Sequence, residues 1–183
     1  RRLDTPRHQE FERITALCGT ALNVPICLVS LVDERRQWFL SNRGLGDTRE
    51  TGREIAFCAH SIMPDATTRV HKEIMVVRDA LADDRFKDSA LVQGWPHIRF
   101  YAGARLGFTG SDGVVHHIGT LCIIDTDVTK GGFEGAREEF DGSKVTMLEE
   151  LAHVLVEAIE LRGYKRRDAK DEPGKKRKLD DAA

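Results

Sequence analysis

The sequence predicts an α+β domain, a hairpin-linked antiparallel sheet enclosed between two helices. Three observations carry this expectation. Apolar residues recur at helical spacing near both ends of the chain, over Gln9–Asn23 and about Ser143–Arg162. Between them lie apolar runs of strand length, and two of these, Pro25–Asp33 and Ile118–Asp125, are apolar on both alternation faces. Turn signals, not crossover helices, join neighbouring runs.

In the first helix the periodic residues are Phe11, Ile14, Cys18, Ala21 and Leu22, and Asn23-Val24-Pro25 ends it, because proline biases its predecessor away from helical backbone. Pro25–Asp33 then reads as a central strand covered on both sides. A charged turn, Asp33-Glu34-Arg35, leads into the partner strand Arg36–Ser41. Glu73–Val77 is a short apolar run. Ile98–Phe108 and Val115–Thr126 flank Thr109-Gly110-Ser111-Asp112-Gly113, a strong hairpin turn signal.

Asp141 suits the N-cap of the second helix, since its short side chain can accept from the free N–H groups of the first turn. That helix carries two apolar stripes. Val145, Leu148, Ala152, Leu155 and Ile159 form one; Met147, Leu151, Val154, Ala158 and Leu161 form the other. One sheet needs only one stripe, so the second points to a further partner, the first helix or the same helix of a second subunit.

Two long stretches, Asn42–Ile62 and Asp79–His97, have no regular pattern. Loops of that length in a compact domain carry function or short helices. Beyond Arg162 the composition changes. Residues 163–183 hold 8 of the 28 basic and 5 of the 30 acidic side chains and almost nothing apolar. The expectation is a domain over residues 1–162 and a charged, disordered tail or linker over 163–183.

Composition bounds the function classes. The 183 residues are 40% hydrophobic and 32% charged, with a formal net charge of −2. That suits one core-forming domain. No apolar run approaches the ~20 residues of a membrane span, so no membrane partner is expected. Cys18, Cys27, Cys58 and Cys122 form no CxxC pair, and a reduced, cytoplasmic setting is the simpler expectation. Lys175-Lys176-Arg177-Lys178 resembles a nuclear-localisation cluster or a phosphate patch. The acids interspersed around it favour a solvated linker, and nucleic acid is not an expected partner.

Several blocks together resemble the GAF domain, a small-molecule-sensing module of signalling proteins. They are Arg36-Gln37-Trp38-Phe39 with Gly44-Leu45, Arg53 with Phe57-Cys58-Ala59-His60-Ser61-Ile62, and Asp79-Ala80 with Asp84-Arg85-Phe86. Ile98-Arg99-Phe100-Tyr101-Ala102-Gly103-Ala104 and Gly119-Thr120-Leu121-Cys122-Ile123-Ile124-Asp125 complete the series in order. The resemblance implies a GAF/PAS-like central antiparallel sheet of five or six strands. The N- and C-terminal helices would pack on one face, and the two long loops would form a pocket on the other.

The candidate ligand-binding residues are then Arg53, Phe57, Cys58, His60, Asp79, Phe86, Trp95, Arg99, Tyr101 and Cys122. Arginines such as Arg53, Arg99 and Arg105 suit an anionic ligand, and the aromatic residues suit an apolar wall. The competing reading makes the aromatics core and the arginines structural. An imidazole near Cys58 would favour its thiolate, but residues two apart on a helix do not face each other, which favours the reading in which Cys58 packs and His60 bonds a backbone carbonyl.

No zinc-type spacing links the seven histidines, and no metal is expected. A covalent bilin is not expected, because Asp83–His97, where some GAF domains attach one, holds no cysteine. No Asn-Lys pair supports a cyclic nucleotide. No GxSxG, P-loop or Rossmann fingerprint occurs.

The resemblance therefore implies a regulatory domain and not an enzyme, with an unknown small-molecule ligand or a redox change at Cys58 as input. The change would pass through the C-terminal helix to a homodimer partner, across Met147, Leu151, Val154, Ala158 and Leu161, or to an output domain such as a kinase or a cyclic-dinucleotide enzyme. Two alternatives stay open. One is a redox enzyme of the free methionine sulfoxide reductase type using Cys58, which on sequence lacks a resolving thiol in the pocket loops. The other is a purely structural dimerisation module.

Overall fold

The structure is a computed structural model, and it describes residues 9–64, 73–126, 140 and 142–171, with the backbone alone for 164–171. The elements are α1 (Gln9–Ala21), β1 (Ile26–Val32), β2 (Arg36–Arg43), β3 (Glu50–Gly52), α2 (Phe57–Ser61), β4 (Ile74–Val77), α3 (Ala90–Gln93), β5 (Phe100–Thr109), β6 (Val115–Asp125) and α4 (Gly142–Asp171). A single 3-10 turn, Arg53–Ile55, precedes α2. The six strands form one sheet in the order β3-β2-β1-β6-β5-β4. Every neighbouring pair is antiparallel. This is the expected α+β architecture.

The both-sided apolar strands divide their side chains between two cores. Successive strand residues point to opposite faces. On β1, Cys27 and Val29 face the terminal helices, whereas Ile26 and Leu28 face the loops. On β6, Leu121 and Ile123 join the helix side, and Cys122 and Ile124 the loop side. Leu148, Ala152 and Leu155 of α4 close the helix side and are almost fully buried. Burying a large aliphatic side chain stabilises by about 1.5–3 kcal/mol, so the first stripe fixes α4 on the sheet.

The second stripe is not covered in the same way. Met147, Val154 and Leu161 are 39%, 52% and 59% exposed. Leu151 and Ala158 lie half-buried between them. An ion pair from Arg162 to Glu10 ties α4 to α1, with the guanidinium stacked over Phe11.

α1 ends earlier than its periodicity, at Ala21. Asn23 takes the left-handed region at φ 52°, which lets the Val24 N–H donate to the Gly19 carbonyl at 3.0 Å. Asparagine tolerates this helix-ending conformation better than most side chains. α4 instead runs nine residues past Arg162, so 163–171 is helical where a disordered tail was expected. Those residues are mostly good helix formers, with one glycine and no proline before Pro173. The expected N-cap Asp141 and the basic cluster at 175–178 lie outside the described residues.

Candidate functional site

The site is built on the face of the sheet opposite α1 and α4. α2 lies against it, with Phe57, Cys58 and Ser61 buried. Five residues cannot sustain a helix alone. Its C-terminal end is held by Arg105 of β5, whose guanidinium donates to the carbonyls of Ser61 and, at 3.0 Å, Met63. A cation there satisfies free carbonyls and complements the helix dipole. Arg105 therefore serves as a structural clamp on the end of α2.

Residues 79–98 roof the sheet with their own hydrogen bonds. Asp79 accepts from the Leu81 N–H at 3.0 Å, and Asp83 from the Arg85 N–H at 3.0 Å. Such Asx turns shape a loop without secondary structure. Ser89 caps α3 by accepting from the Leu91 N–H. The Arg99 guanidinium donates to the Val92 and Ile98 carbonyls at 2.9 and 3.0 Å. Asp79 and Arg99 thus spend their polar groups on building the roof. Phe86 anchors it, stacked on Phe57 at 3.9 Å.

Beneath the roof is a narrow cavity of about 30 Å³. That is room for one or two water molecules. Leu28, Phe39, Tyr101 and Ile124 of the sheet form its floor, and Phe57 and Cys58 of α2 line it beside them. Leu91, Trp95, Pro96 and Ile98 close the roof. Gln37, Thr48 and Thr51 supply the polar rim, and the Thr51 hydroxyl is buried without a hydrogen-bond partner. Trp95 is 60% exposed, so the lid residue is the least held member of the wall.

The structure divides the candidate residues into separate places. Phe57, Cys58, Trp95 and Tyr101 line the cavity. Phe86 and Cys122 stand just behind that wall in the same core. Arg53 and His60 do not join them. They line an outer, open cleft of about 590 Å³ with Glu34, Arg35 and Glu54. Its two acids and two arginines balance, which gives no net preference for an anion. His60 rests edge-on against Phe86 at 4.9 Å, and burial together with nearby Arg85 pushes its imidazole down, towards the neutral form. Cys58 and His60 therefore act apart, as their two-residue spacing on a helix requires.

The partner of Cys58 is a different residue. Its sulfur lies 3.7 Å from that of Cys122 on the central strand β6. The Tyr101 hydroxyl donates to Cys58 from 3.4 Å. Gly103 makes room for that hydroxyl, since a Cβ at 103 would meet it at 2.2 Å. Burial opposes the Cys58 thiolate, but hydrogen bonds from Cys122, Ser30, Thr120 and Tyr101 outweigh it and bring Cys58 down to about 6. The hydrogen bond to Cys58, with burial, pushes Cys122 well up. Two adjacent sulfurs behave so as a pair: the first proton leaves readily and the second is held.

Sequence reasoning missed the far half of the cavity. Leu28 and Ile124 are visible in the alternation of their strands, but Thr48 and Thr51 are not. They sit on and before β3, only three residues long, too short for any period to register. The Cys58–Cys122 approach spans 64 positions and has no local signal.

Among the described residues no group of three or more metal-ligating side chains is assembled. No helix among them is long and apolar enough to cross a membrane.

Comparison with known proteins agrees with this architecture. The profile of the GAF domain family matches residues 6–159. A cyclic di-GMP phosphodiesterase of Pseudomonas aeruginosa is 38% identical over 157 residues, 86% of this chain. The chain spans only 23% of that relative's length. Among solved structures, the GAF domain region of a Geobacter sulfurreducens protein superposes with a TM-score of 0.57 at 17% identity, over 84% of this chain and 92% of its own. The A. aeolicus nlh2 GAF domain in an inactive state gives 0.56 at 10% identity, over 87% and 88%. At these identities the likeness is one of fold.

Proposed function

This chain belongs to the GAF domain family, a family of sensory and ligand-binding domains, and from that premise we propose that it senses a small, largely apolar molecule in the cavity under Trp95. The observation that carries the reading is the cavity itself. It is largely apolar, covered by an exposed lid residue, and carries at its polar rim one unpartnered hydroxyl, that of Thr51. Small-molecule sites combine apolar walls with a few placed polar groups in this way. At about 30 Å³ the cavity is closed down, so a ligand enters as the roof around Trp95 moves outwards.

Occupancy then biases α4. Its buried stripe packs on the same central strands that floor the cavity, and its outer stripe, Met147, Leu151, Val154, Ala158 and Leu161, offers an apolar seam to a second copy of the chain. The spacing of that seam alternates four and three, as helix pairing requires. The role is regulatory, not enzymatic, in a cytoplasmic signalling protein. The Pseudomonas relative supports a cyclic-dinucleotide enzyme as the kind of output domain it would govern.

A thermal-shift screen tests the reading. The chain, under reductant, is mixed with small apolar compounds that carry one hydrogen-bonding group. Trp38→Phe leaves Trp95 as the single tryptophan reporter of the lid. A true ligand raises Tm and alters Trp95 emission together. Thr51→Val weakens its binding about fivefold, the loss of one hydrogen bond. A library in which no compound moves either signal overturns the proposal.

A further inference from the structure

We propose that Cys58 and Cys122 are a peroxide-reactive pair that closes into a reversible disulfide inside the fold. The inference uses the same cavity as the ligand reading but needs no ligand to be held there.

Three observations converge. First, the sulfurs are already 3.7 Å apart, and a disulfide needs about 2.05 Å. Cys122 is fixed on the central strand, paired in register with Leu28 and Gly103. Cys58 rides on a five-residue helix, the lighter of the two supports. Second, the two thiols are not equivalent. Cys58 lines the cavity and Cys122 does not, so one sulfur is reached first and the other waits behind it. A cavity sized for one or two waters admits hydrogen peroxide and excludes glutathione or any charged oxidant. Third, Cys58 is in hydrogen-bond contact on two sides: with the Cys122 sulfur at 3.7 Å, and with the Tyr101 hydroxyl, which donates to it from 3.4 Å. These contacts favour the thiolate, which is the reactive form.

The steps balance. The Cys58 thiolate attacks one oxygen of hydrogen peroxide; the O–O bond breaks, and with one proton the products are Cys58 sulfenic acid and water. The Cys122 sulfur then attacks the Cys58 sulfur. The S–O bond breaks, the Cys122 proton leaves with the hydroxide, and a second water forms. Two thiols are oxidised by two electrons in all, and one peroxide is reduced. A dithiol reductant reverses the bridge. Cys18 and Cys27, on the opposite face, serve as an internal contrast, because the hydrogen bond that the Cys27 thiol makes to Cys18, with burial, pushes it well up and away from the thiolate.

The test uses the purified full chain, first reduced, then treated with a small molar excess of hydrogen peroxide, blocked with N-ethylmaleimide and digested for mass spectrometry. The expected product is a Cys58–Cys122 linked peptide in a chain lighter by two hydrogen atoms, lost again on treatment with dithiothreitol. Cys122→Ala removes the second step, so Cys58 should accumulate as a sulfenic acid that dimedone captures. Both cysteines remaining free, while the urea-unfolded chain oxidises under the same conditions, overturns the proposal. So does a bridge at Cys18–Cys27, or a bridge between chains. Because the ligand screen is run under reductant, a negative result here leaves that reading standing, and the reverse also holds.

Discussion

The rings of Phe57 and Phe86 stack 3.9 Å apart with planes inclined by only 11°, and this contact joins α2 to the roof behind the cavity wall. Arg85 lies over the outer face of Phe86 at 5.0 Å, and Tyr101 meets Phe57 at 5.2 Å. Phe86→Ala should therefore cost about 3–5 kcal/mol, the range for losing a buried aromatic side chain. Urea unfolding of the variant reads it directly. Trp95→Ala, at an exposed position, should leave the midpoint within about 0.5 kcal/mol. An equal loss at both positions would show that the roof is held by something other than this stack.

Gly103 and Tyr101 share one volume. A methyl group at 103 displaces the tyrosine hydroxyl that donates to Cys58, and overpacking of this kind costs about 1–3 kcal/mol. In a Tyr101→Phe background the hydroxyl is gone but the ring remains, so the cost of Gly103→Ala should be smaller without vanishing. A double-mutant cycle on equilibrium unfolding measures the difference. Strict additivity would contradict the shared volume.

Stability should depend on pH through the buried thiol pair. Cys58 titrates at about 6 in the folded chain, below the ordinary cysteine value. A group with a depressed folded pKa stabilises fully above its unfolded pKa and loses that contribution as pH falls through the folded one. Its contribution should accordingly grow from about pH 6 to about pH 8.5. Cys122 and Tyr101, both raised by burial and by their neighbours, withdraw stability only at more alkaline pH. Urea midpoints of wild type and Cys58→Ser, under reductant at about pH 6 and pH 8.5, provide the comparison. The wild type should gain more on going up in pH, and a parallel response in the two proteins would count against a Cys58 thiolate.

The two stripes of α4 should respond oppositely to substitution. Leu148→Ala empties a fully buried position and should cost about 2–5 kcal/mol. Val154→Lys with Leu161→Lys changes exposed positions and should leave monomer stability within about 1 kcal/mol. Analytical ultracentrifugation should then find the wild type dimeric and the double lysine variant monomeric. A wild type that is monomeric at all concentrations would remove the seam as an interface.

Much of the architecture was legible because it rests on period. Alternation along Pro25–Asp33 and Ile118–Asp125 announced strands buried on both faces, and the two cores on either side of β1 and β6 are the outcome. Helix ends were less legible, since they depend on single residues. Asn23 ends α1 through its left-handed backbone, and α4 simply continues through helix-forming residues to Asp171.

The site was legible only in part. Motif resemblance drew attention to the segments that carry Phe57, Cys58, Trp95 and Tyr101, yet it could not distinguish a wall of the cavity from a strut of the loop. Arg99 and Asp79 turned out to bond the backbone of their own roof, and Arg105 the end of α2. A polar side chain reads the same in sequence whether it faces a ligand or a carbonyl. The meeting of Cys58 with Cys122 depends on β6 lying at the centre of the sheet beneath α2, a matter of topology that no local window contains.

The alternation of β6 has a consequence for how this domain can change over evolutionary time. Cys122 and Ile123 are adjacent in the chain, but the first belongs to the core beneath the roof and the second to the core under the terminal helices. The two cores are thus interleaved letter by letter along a single strand, separated by the thickness of the sheet. Point substitutions can repack either core independently. One inserted or deleted residue in the strand would exchange the two sets wholesale, so the strand is free to vary in composition and constrained in length.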